Sequence, residues 1–518
     1  MSDGPALAKT RPALVKVSRT YHRLRLAVQI ATFLLFLYLL IGTRQETRTW
    51  LPGELFFLAD PLAGSAAMLA GHAWIVPMLI GGLVLLAATL VLGRAWCGWL
   101  CPLGSLLDWI PSRRVRKDKV DIPRYWRQGK NLTLFIILLS AMLGSLTLIV
   151  LDPVTLVFRS FAAAVLPLLN SLLLSLGAGL YHFGPLQPAV GWFDSSVRAK
   201  LFGDAGFYLP NLTLLALLAG VLALNVVRAR SWCRYLCPLG GLLALVSKVS
   251  LFGYRVISEK CISCGRCAVR CPTGAISPAE GYKADAGECV TCLDCVENCP
   301  TRAITFPAKV IPDRGYQPAR RHFITSLGLA AVGAFTLRFL PTPGRAKQTL
   351  IRPPGASEDS ITGKCIRCGE CVRVCPSASI QPAQSASGWD STWSPHLVMR
   401  RGYCDYSCNA CGQVCPTGAI APLSLEKKRR EVIGVAAIDR EKCIPFKEDR
   451  ECIVCEEMCP LPEKAVKLAR DLEHKALRPR VLTDVCTGCG ICEKQCPVNG
   501  VSAIRVYPPG TAEIQPEE

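Results

Sequence analysis

The chain has 518 residues, of which 51% are apolar and 19% charged, a mean hydropathy of +0.31 and 28 cysteines. Uncharged runs of about twenty residues exclude intrinsic disorder, argue against an ordinary soluble enzyme, and with the length exclude a small disulfide scaffold. The net charge of +20 does not point to nucleic acid, because residues 1–345 carry 36 Lys+Arg against 17 Asp+Glu, whereas residues 346–518 carry 23 against 22.

The first 25 residues form a basic arm. Uncharged runs at 26–43, 74–93, 131–151 and 205–227 are each long enough to cross a hydrocarbon core about 30 Å thick, which predicts four spanning helices. The stretch 160–193 is also uncharged, but Pro167, Pro185 and Pro188 and the glycines Gly177 and Gly179 interrupt it. A fifth crossing would place a basic loop outside, so a re-entrant or surface-lying helix is expected there. Lys+Arg cluster before residue 26, at Arg113–Lys130 and at Arg228–Lys260, and are sparse at 44–73 and 153–206; this asymmetry puts the clusters in the cytoplasm.

The hydrophobic half repeats itself. Asp60-Pro61-Leu62 answers Asp152-Pro153-Val154, and each unit ends in a near-copy, Arg94-Ala-Trp96-Cys97-Gly-Trp-Leu100-Cys101-Pro102 against Arg230-Ser-Trp232-Cys233-Arg-Tyr-Leu236-Cys237-Pro238. Two helices per unit return the chain to the same side, so both Cys-x3-Cys-Pro motifs belong at cytoplasmic helix ends. Asp60, His72 and Asp152, near the other face, are candidates for proton release.

Behind Arg320-Arg321 runs an apolar stretch, Phe323–Leu340, that resembles an uncleaved twin-arginine anchor and would export residues 346–518. An interfacial helix that leaves residues 346–518 in the cytoplasm is the alternative.

Six groups of four cysteines accompany these elements. Cys261, Cys264, Cys267 and Cys271 have the C-x2-C-x2-C-x3-C-P spacing, as do Cys289, Cys292, Cys295 and Cys299; Cys365, Cys368, Cys371 and Cys375; and Cys486, Cys489, Cys492 and Cys496. Cys404, Cys408, Cys411 and Cys415 open with a three-residue gap, and Cys443, Cys452, Cys455 and Cys459 with an eight-residue one. Three cysteines within seven residues wrap one cubane, while the fourth, turned away by its proline, ligates the neighbouring cluster. By that rule Cys261, Cys264, Cys267 and Cys299 hold one [4Fe-4S] cluster, and Cys289, Cys292, Cys295 and Cys271 its partner. In the last four groups the gaps are longer, and crossing partners stay open. Zinc would call for isolated C-x2-C pairs rather than triplets ending in Cys-Pro.

The remaining cysteines, Cys97, Cys101, Cys233 and Cys237, share a helix face within each pair. They are expected to bind a metal or a further cluster, to cycle between dithiol and disulfide, or to pack a helix end. No C-x-x-C-H, G-x-G-x-x-G or Walker A motif is present, and no residue is assigned a catalytic role. The composition describes a wire.

The two Cys-x3-Cys-Pro motifs followed by the ferredoxin motifs at 261–299 resemble the membrane ferredoxin-type subunit NapH. From Arg320-Arg321 onward the four-group polyferredoxin resembles the NapG and MauM ferredoxin-type proteins. The resemblance implies a fusion of the two: a multi-domain chain with an α-helical integral membrane domain and α+β bacterial ferredoxin-like [4Fe-4S] domains. The expected division is a basic cytoplasmic arm (1–25), a four-helix membrane domain (26–257), a two-cluster ferredoxin (258–307), a linker and anchor (308–345), a four-cluster polyferredoxin (346–508) and an acidic tail (509–518). It further implies a cytoplasmic-membrane protein with the polyferredoxin exported, six [4Fe-4S] clusters, quinol as substrate, the quinone pool and lipid as surroundings, and a cytochrome c or terminal reductase as redox partner. A copper-handling reductase or assembly factor for a respiratory copper enzyme, using the four membrane thiols as its working site, is the alternative.

Overall fold

The computed structural model describes residues 20–43, 51–110, 124–202, 208, 211–308, 320–339, 350–384, 388–470 and 475–510. Most of the basic arm, most of the Arg113–Lys130 loop and most of the acidic tail lie outside the described residues.

The helices that position the sites are α1 (Thr20–Gly42), α2 (Pro61–Gly71), α3 (Val76–Leu92), α4 (Pro102–Trp109), α5 (Gly129–Met142), α6 (Pro153–Ser160), α7 (Leu166–Tyr181), α8 (Asn211–Val227), α9 (Pro238–Ser247) and α10 (Arg320–Phe339). The repeated Asp-Pro pairs start α2 and α6. Asp60 Oδ1 accepts from the backbone N–H of Leu62 and Ala63 at 2.9 and 3.1 Å, and Asp152 Oδ2 from Val154 and Thr155 at 2.9 and 3.0 Å, with proline at the first helical position each time. Phe36 of α1 meets Phe158 edge-on at 6.1 Å, and Phe57 meets Phe158 at 5.1 Å, so the two repeats interlock through aromatic side chains.

Two expectations change. The run 131–151 is not one helix: α5 has 14 residues, ends at Met142, and is followed by Gly144 at φ 78° and a 3-10 turn at Thr147–Leu151. Conversely, Pro167, Gly177 and Gly179 do not break the helix in the next stretch. Residues 153–181 form a continuous 29-residue helix, because a π-turn at Phe161–Val165 lies just ahead of Pro167 and loosens the hydrogen-bond ladder there. The break comes later, where Pro185 lies in a 3-10 turn and Pro188 in the first turn of the helix Gln187–Phe193, which packs back on the preceding helix. Among the described residues two helices, Thr20–Gly42 and Pro153–Tyr181, are long and apolar enough to cross a membrane.

The cysteine-rich segments form small α+β units. Around the first two groups, Arg255–Val256 pairs with Ile304–Thr305 and encloses the hairpin Ile276–Ser277/Lys283–Ala284. The same nesting recurs around the last two groups, with Val435–Ile438 on Ile504–Tyr507 enclosing Val466–Ala469 on Arg478–Val481. The third and fourth groups share the hairpin Ile380–Pro382/Pro395–Leu397.

These units sit at opposite ends of α1. At its start, Arg25 Nη1 donates to Cys292 O at 3.1 Å and pairs with Asp294 at 3.2 Å. Near its end, Arg373 Nε donates to Leu40 O at 3.4 Å. Fifteen helical residues, about 22 Å, separate the two anchor points.

Candidate iron-sulfur sites

The third cysteine of each triplet lies on a short helix, Cys267, Cys295, Cys371, Cys411, Cys455 and Cys492 in turn, and in every pair the fourth thiol comes from the other group. Cys261, Cys264 and Cys267 line one cavity with Cys299. The Cys295 thiol lies within electrostatic reach of Cys289, Cys292 and Cys271. The crossing expected for this pair is therefore present in the geometry.

The structure also brings together thiols whose crossing partners the spacing left open. Cys365, Cys368 and Cys371 share a cavity with Cys415, and Cys411 faces Cys404, Cys408 and Cys375. Cys486, Cys489 and Cys492 share a cavity with Cys459, while Cys443, Cys452 and Cys455 gather with Cys496. Groups three and four thus form one two-site unit, and groups five and six another.

The donors around these cavities suit cubanes. Backbone N–H groups point at the crossing thiols, Ala275 to Cys271 Sγ at 3.2 Å, Ala303 to Cys299 at 3.3 Å, Ile420 to Cys415 at 3.5 Å and Ala465 to Cys459 at 3.4 Å. Such bonds stabilise thiolate charge and tune cluster potentials. Among the described residues no three or more His, Cys, Asp or Glu side chains converge to hold a single metal ion; the thiols ring cavities instead. Four thiolates could hold a [4Fe-4S] cluster in each cavity, which would supply a one-electron site.

The membrane-type cysteines are brought together as well. Cys101 lies within reach of Cys97 and Cys233, and Cys237 of all three, in a buried core that also contains Cys292 and Cys368. The repeat explains the convergence: each Cys-Pro starts a helix, α4 or α9, and the two starts face each other. Gly240 N–H donates to Cys237 Sγ at 3.2 Å.

Sequence reasoning missed the buried arginines. It counted Arg25 and Arg230 as topological charges and quoted Arg94 and Arg230 only as repeat markers, yet all are buried. Arg94 Nη1 donates to Gly287 O at 2.7 Å, and its guanidinium faces Cys97, Cys233 and Cys237. Arg230 donates to Cys97 O at 2.8 Å and forks onto Asp108 at 2.8 and 2.7 Å. Arg159 donates to Arg367 O at 3.2 Å and lies 4.5 Å above the Trp393 ring, beside Cys365 and Cys368. For Arg94 and Arg230, repetition at equivalent positions, in R-x-W-C, was the available signal.

A further difference between the copies arises from docking. Val290 O approaches Gly98 so closely that a Cβ there would stand 2.3 Å from it. In the second copy the position is Arg234, and the glycine lies across the contact instead, at Gly274 with φ 62°. In the polyferredoxin, desolvation pushes the buried Glu370 carboxyl up to about 8, with Thr43 facing it.

Comparison with known proteins agrees with this picture. Residues 74–123 and 210–256, which contain the four membrane-type cysteines, match a family described as a 4Fe-4S binding domain, and residues 254–277 and 479–502 match another of that description. Residues 282–376 and 364–419 match 4Fe-4S dicluster domains. The chain is 38% identical over 205 residues to the ferredoxin-type protein NapG of Escherichia coli K12, covering 37% of this chain and 87% of the relative. It is 34% identical over 203 residues to the methylamine utilization ferredoxin-type protein MauM of Methylorubrum extorquens, covering 37% of this chain and 90% of the relative. The MauM of Paracoccus denitrificans is 34% identical over 194 residues, covering 35% and 83%. No solved structure matches the chain. The chain carries multiple [4Fe-4S] ferredoxin domains.

Proposed function

Because the chain belongs to the family of ferredoxin-type proteins that includes NapG and MauM, we propose that it is a membrane-bound electron wire that joins a NapH-type half, residues 26–257 with the ferredoxin at 258–307, to a polyferredoxin at 346–508. Electrons enter from quinol and leave through the polyferredoxin, on the exported side, to a soluble or membrane-bound redox partner. One observation carries the reading: the two ferredoxin modules dock at opposite ends of α1, and a buried core between them holds Cys97, Cys101, Cys233 and Cys237 together with Cys292 and Cys368. Helix α10, which links the modules, packs along α5 rather than lying apart from the bundle.

In this reading Cys261 through Cys299 hold two cubanes, the last sixteen cysteines hold four, and the four membrane-type thiols hold a seventh. The seventh is supported by the family match over residues 74–123 and 210–256 and by the flanking cations Arg94 and Arg230, which suit the negative charge of a thiolate-ligated cluster. Anaerobic iron analysis should return about 28 irons per chain, seven clusters of four. A value near 24 removes the seventh cluster, and one near eight removes the wire. For topology, a reporter fused after Glu518 is expected to be active outside the cytoplasm.

The same four thiols are the working site in the alternative, a copper-handling reductase, although among the described residues they do not converge as ligands of a single metal ion. Replacing Cys97 and Cys233 together separates the two: a wire loses quinol-driven reduction of the polyferredoxin, whereas a copper site loses copper binding while quinol still reduces the clusters.

A further inference from the structure

A cleft lies where the helix bundle meets the first ferredoxin unit, between the start of α5, the end of α9 and the loop that leads into Cys289. It opens to solvent on one side and is lined by side chains of all three segments. We propose that this cleft binds the quinol headgroup. The inference rests on the quinol reading above and gives it a location.

Charge is the first argument. Three cations, Arg127, Lys130 and Lys248, face three carboxylates, Glu280, Asp285 and Glu288, so the lining is balanced and offers both donors and acceptors. A phosphate or an anionic lipid headgroup would find no net positive field; a neutral ring with two hydroxyls finds partners for both. Lys130 Nζ is already committed to Glu288 Oε1 at 2.6 Å. Asn131 Oδ1 is buried with no hydrogen-bond partner among the described residues and lines the same space. An unsatisfied buried acceptor is costly, and a quinol hydroxyl would satisfy it.

Position is the second. One wall of the cleft is Ala275, whose N–H donates to Cys271 Sγ at 3.2 Å, and another is Glu288, next in the chain to Cys289. Cys271 and Cys289 belong to the same thiol set, so the headgroup would lie against the cluster that faces the membrane-type thiols. The rim is apolar where the bundle continues: Leu245 lines the cleft, and Trp126 and Val249, beside lining residues in sequence, are 58% and 55% exposed. That edge suits an isoprenoid tail entering from lipid. Oxidation of the quinol to the quinone breaks its two O–H bonds, passes two electrons singly to the adjacent cluster and onward, and releases two protons to the water of the open side.

The test uses the full-length holoprotein in lipid nanodiscs with reduced decyl-ubiquinone. Asn131→Leu and Lys248→Leu should each slow quinol-driven bleaching of the clusters by about tenfold, the change expected for losing one hydrogen bond to a charged or buried polar group, while dithionite bleaches them as in wild type. An azido-quinone should photolabel wild-type protein within residues 124–131, 244–249 or 275–288, and decyl-ubiquinol should compete. Wild type bleached by quinol, with both variants unaffected and the label elsewhere, overturns the location and leaves the quinol reading intact. Wild type that neither bleaches nor labels overturns both. If a variant fails to assemble, the photolabel on wild type decides.

Discussion

Asp108 is the residue whose loss should be felt most at the meeting point of the two repeats. Its Oδ1 and Oδ2 receive Arg230 Nε and Nη2 at 2.8 and 2.7 Å, Gln29 Nε2 donates to Oδ2 at 2.8 Å, and Arg25 Nε stands 4.0 Å away. The Arg230 side chain is 1% exposed, and the residue holds a left-handed φ of 53°, which its surroundings must stabilise. Asp108→Ala leaves that guanidinium with carbonyl partners alone, chiefly Cys97 O, and should cost about 3–5 kcal/mol. Asp108→Asn keeps the shape and should cost about half as much. Adding Arg230→Met to Asp108→Ala removes the stranded charge and should recover roughly 1–3 kcal/mol. A chain of several units does not unfold in one step, so the readout is the rank order of thermal midpoints in detergent, followed by cluster absorbance, rather than a single free energy. Asp108→Ala at the wild-type midpoint, or a double variant worse than either single one, would refute the reasoning. Because Arg230 holds the carbonyl of Cys97, the Ala variant should also lose any cluster or metal that the membrane-type thiols bind.

Arg159 places a buried cation beside Cys365 and Cys368, and Arg159→Gln should lower the midpoint of that cluster by on the order of 50–100 mV in an EPR-monitored titration, leaving the other waves in place. Cys415→Ala should abolish the same wave that Arg159→Gln moves, whereas Cys375→Ala should spare it; the reverse result would restore uncrossed ligation. Burial pushes His396 down to about 4, while its Nδ1–H donates to Gln381 O at 2.9 Å. The neutral ring is the folded form, so its contribution is complete above the ordinary pKa near 6.5 and is lost as pH falls toward 4, by up to about 3 kcal/mol. His396→Leu should flatten that part of the acid-stability profile; an unchanged slope between pH 6.5 and 4 counts against it.

The cysteine groups were legible because the chemistry of a cubane dictates local spacing, and local spacing survives in one dimension. Their pairing beyond Cys299 was not, since it depends on which units share a sheet, as Val435–Ile438 and Ile504–Tyr507 do across the last two groups. The helix errors have a similar origin. Pro167 carries the signature of a break, but the π-turn at Phe161–Val165 absorbs it, and the uncharged run after Leu132 has no charge to mark where Gly144 ends the helix. Arg25 reads in the sequence as a loop charge and Arg94 only as part of a repeat. Only the approach of the Cys292 and Gly287 carbonyls turns Arg25 and Arg94 into docking groups.

On the wire reading proposed above, the crossed pairing would set an order for electron flow that differs from the order of the sequence. Cys368 lies in the same buried core as the membrane-type thiols, which in that reading makes the set Cys365, Cys368, Cys371 and Cys415 the entry to the polyferredoxin. Its partner set includes Cys404, whose N–H donates to Cys489 O at 2.8 Å, which links the two-site units through the sixth group rather than the fifth. The fifth group, with Cys443, Cys452, Cys455 and Cys496, would therefore be last. Its surroundings are open, with Ile453 54% and Met458 44% exposed beside the thiols. The eight-residue insertion between Cys443 and Cys452, which breaks the spacing rule, would then fall at the end of the wire. An exit site must meet an outside partner, and the insertion lies where the surroundings are open.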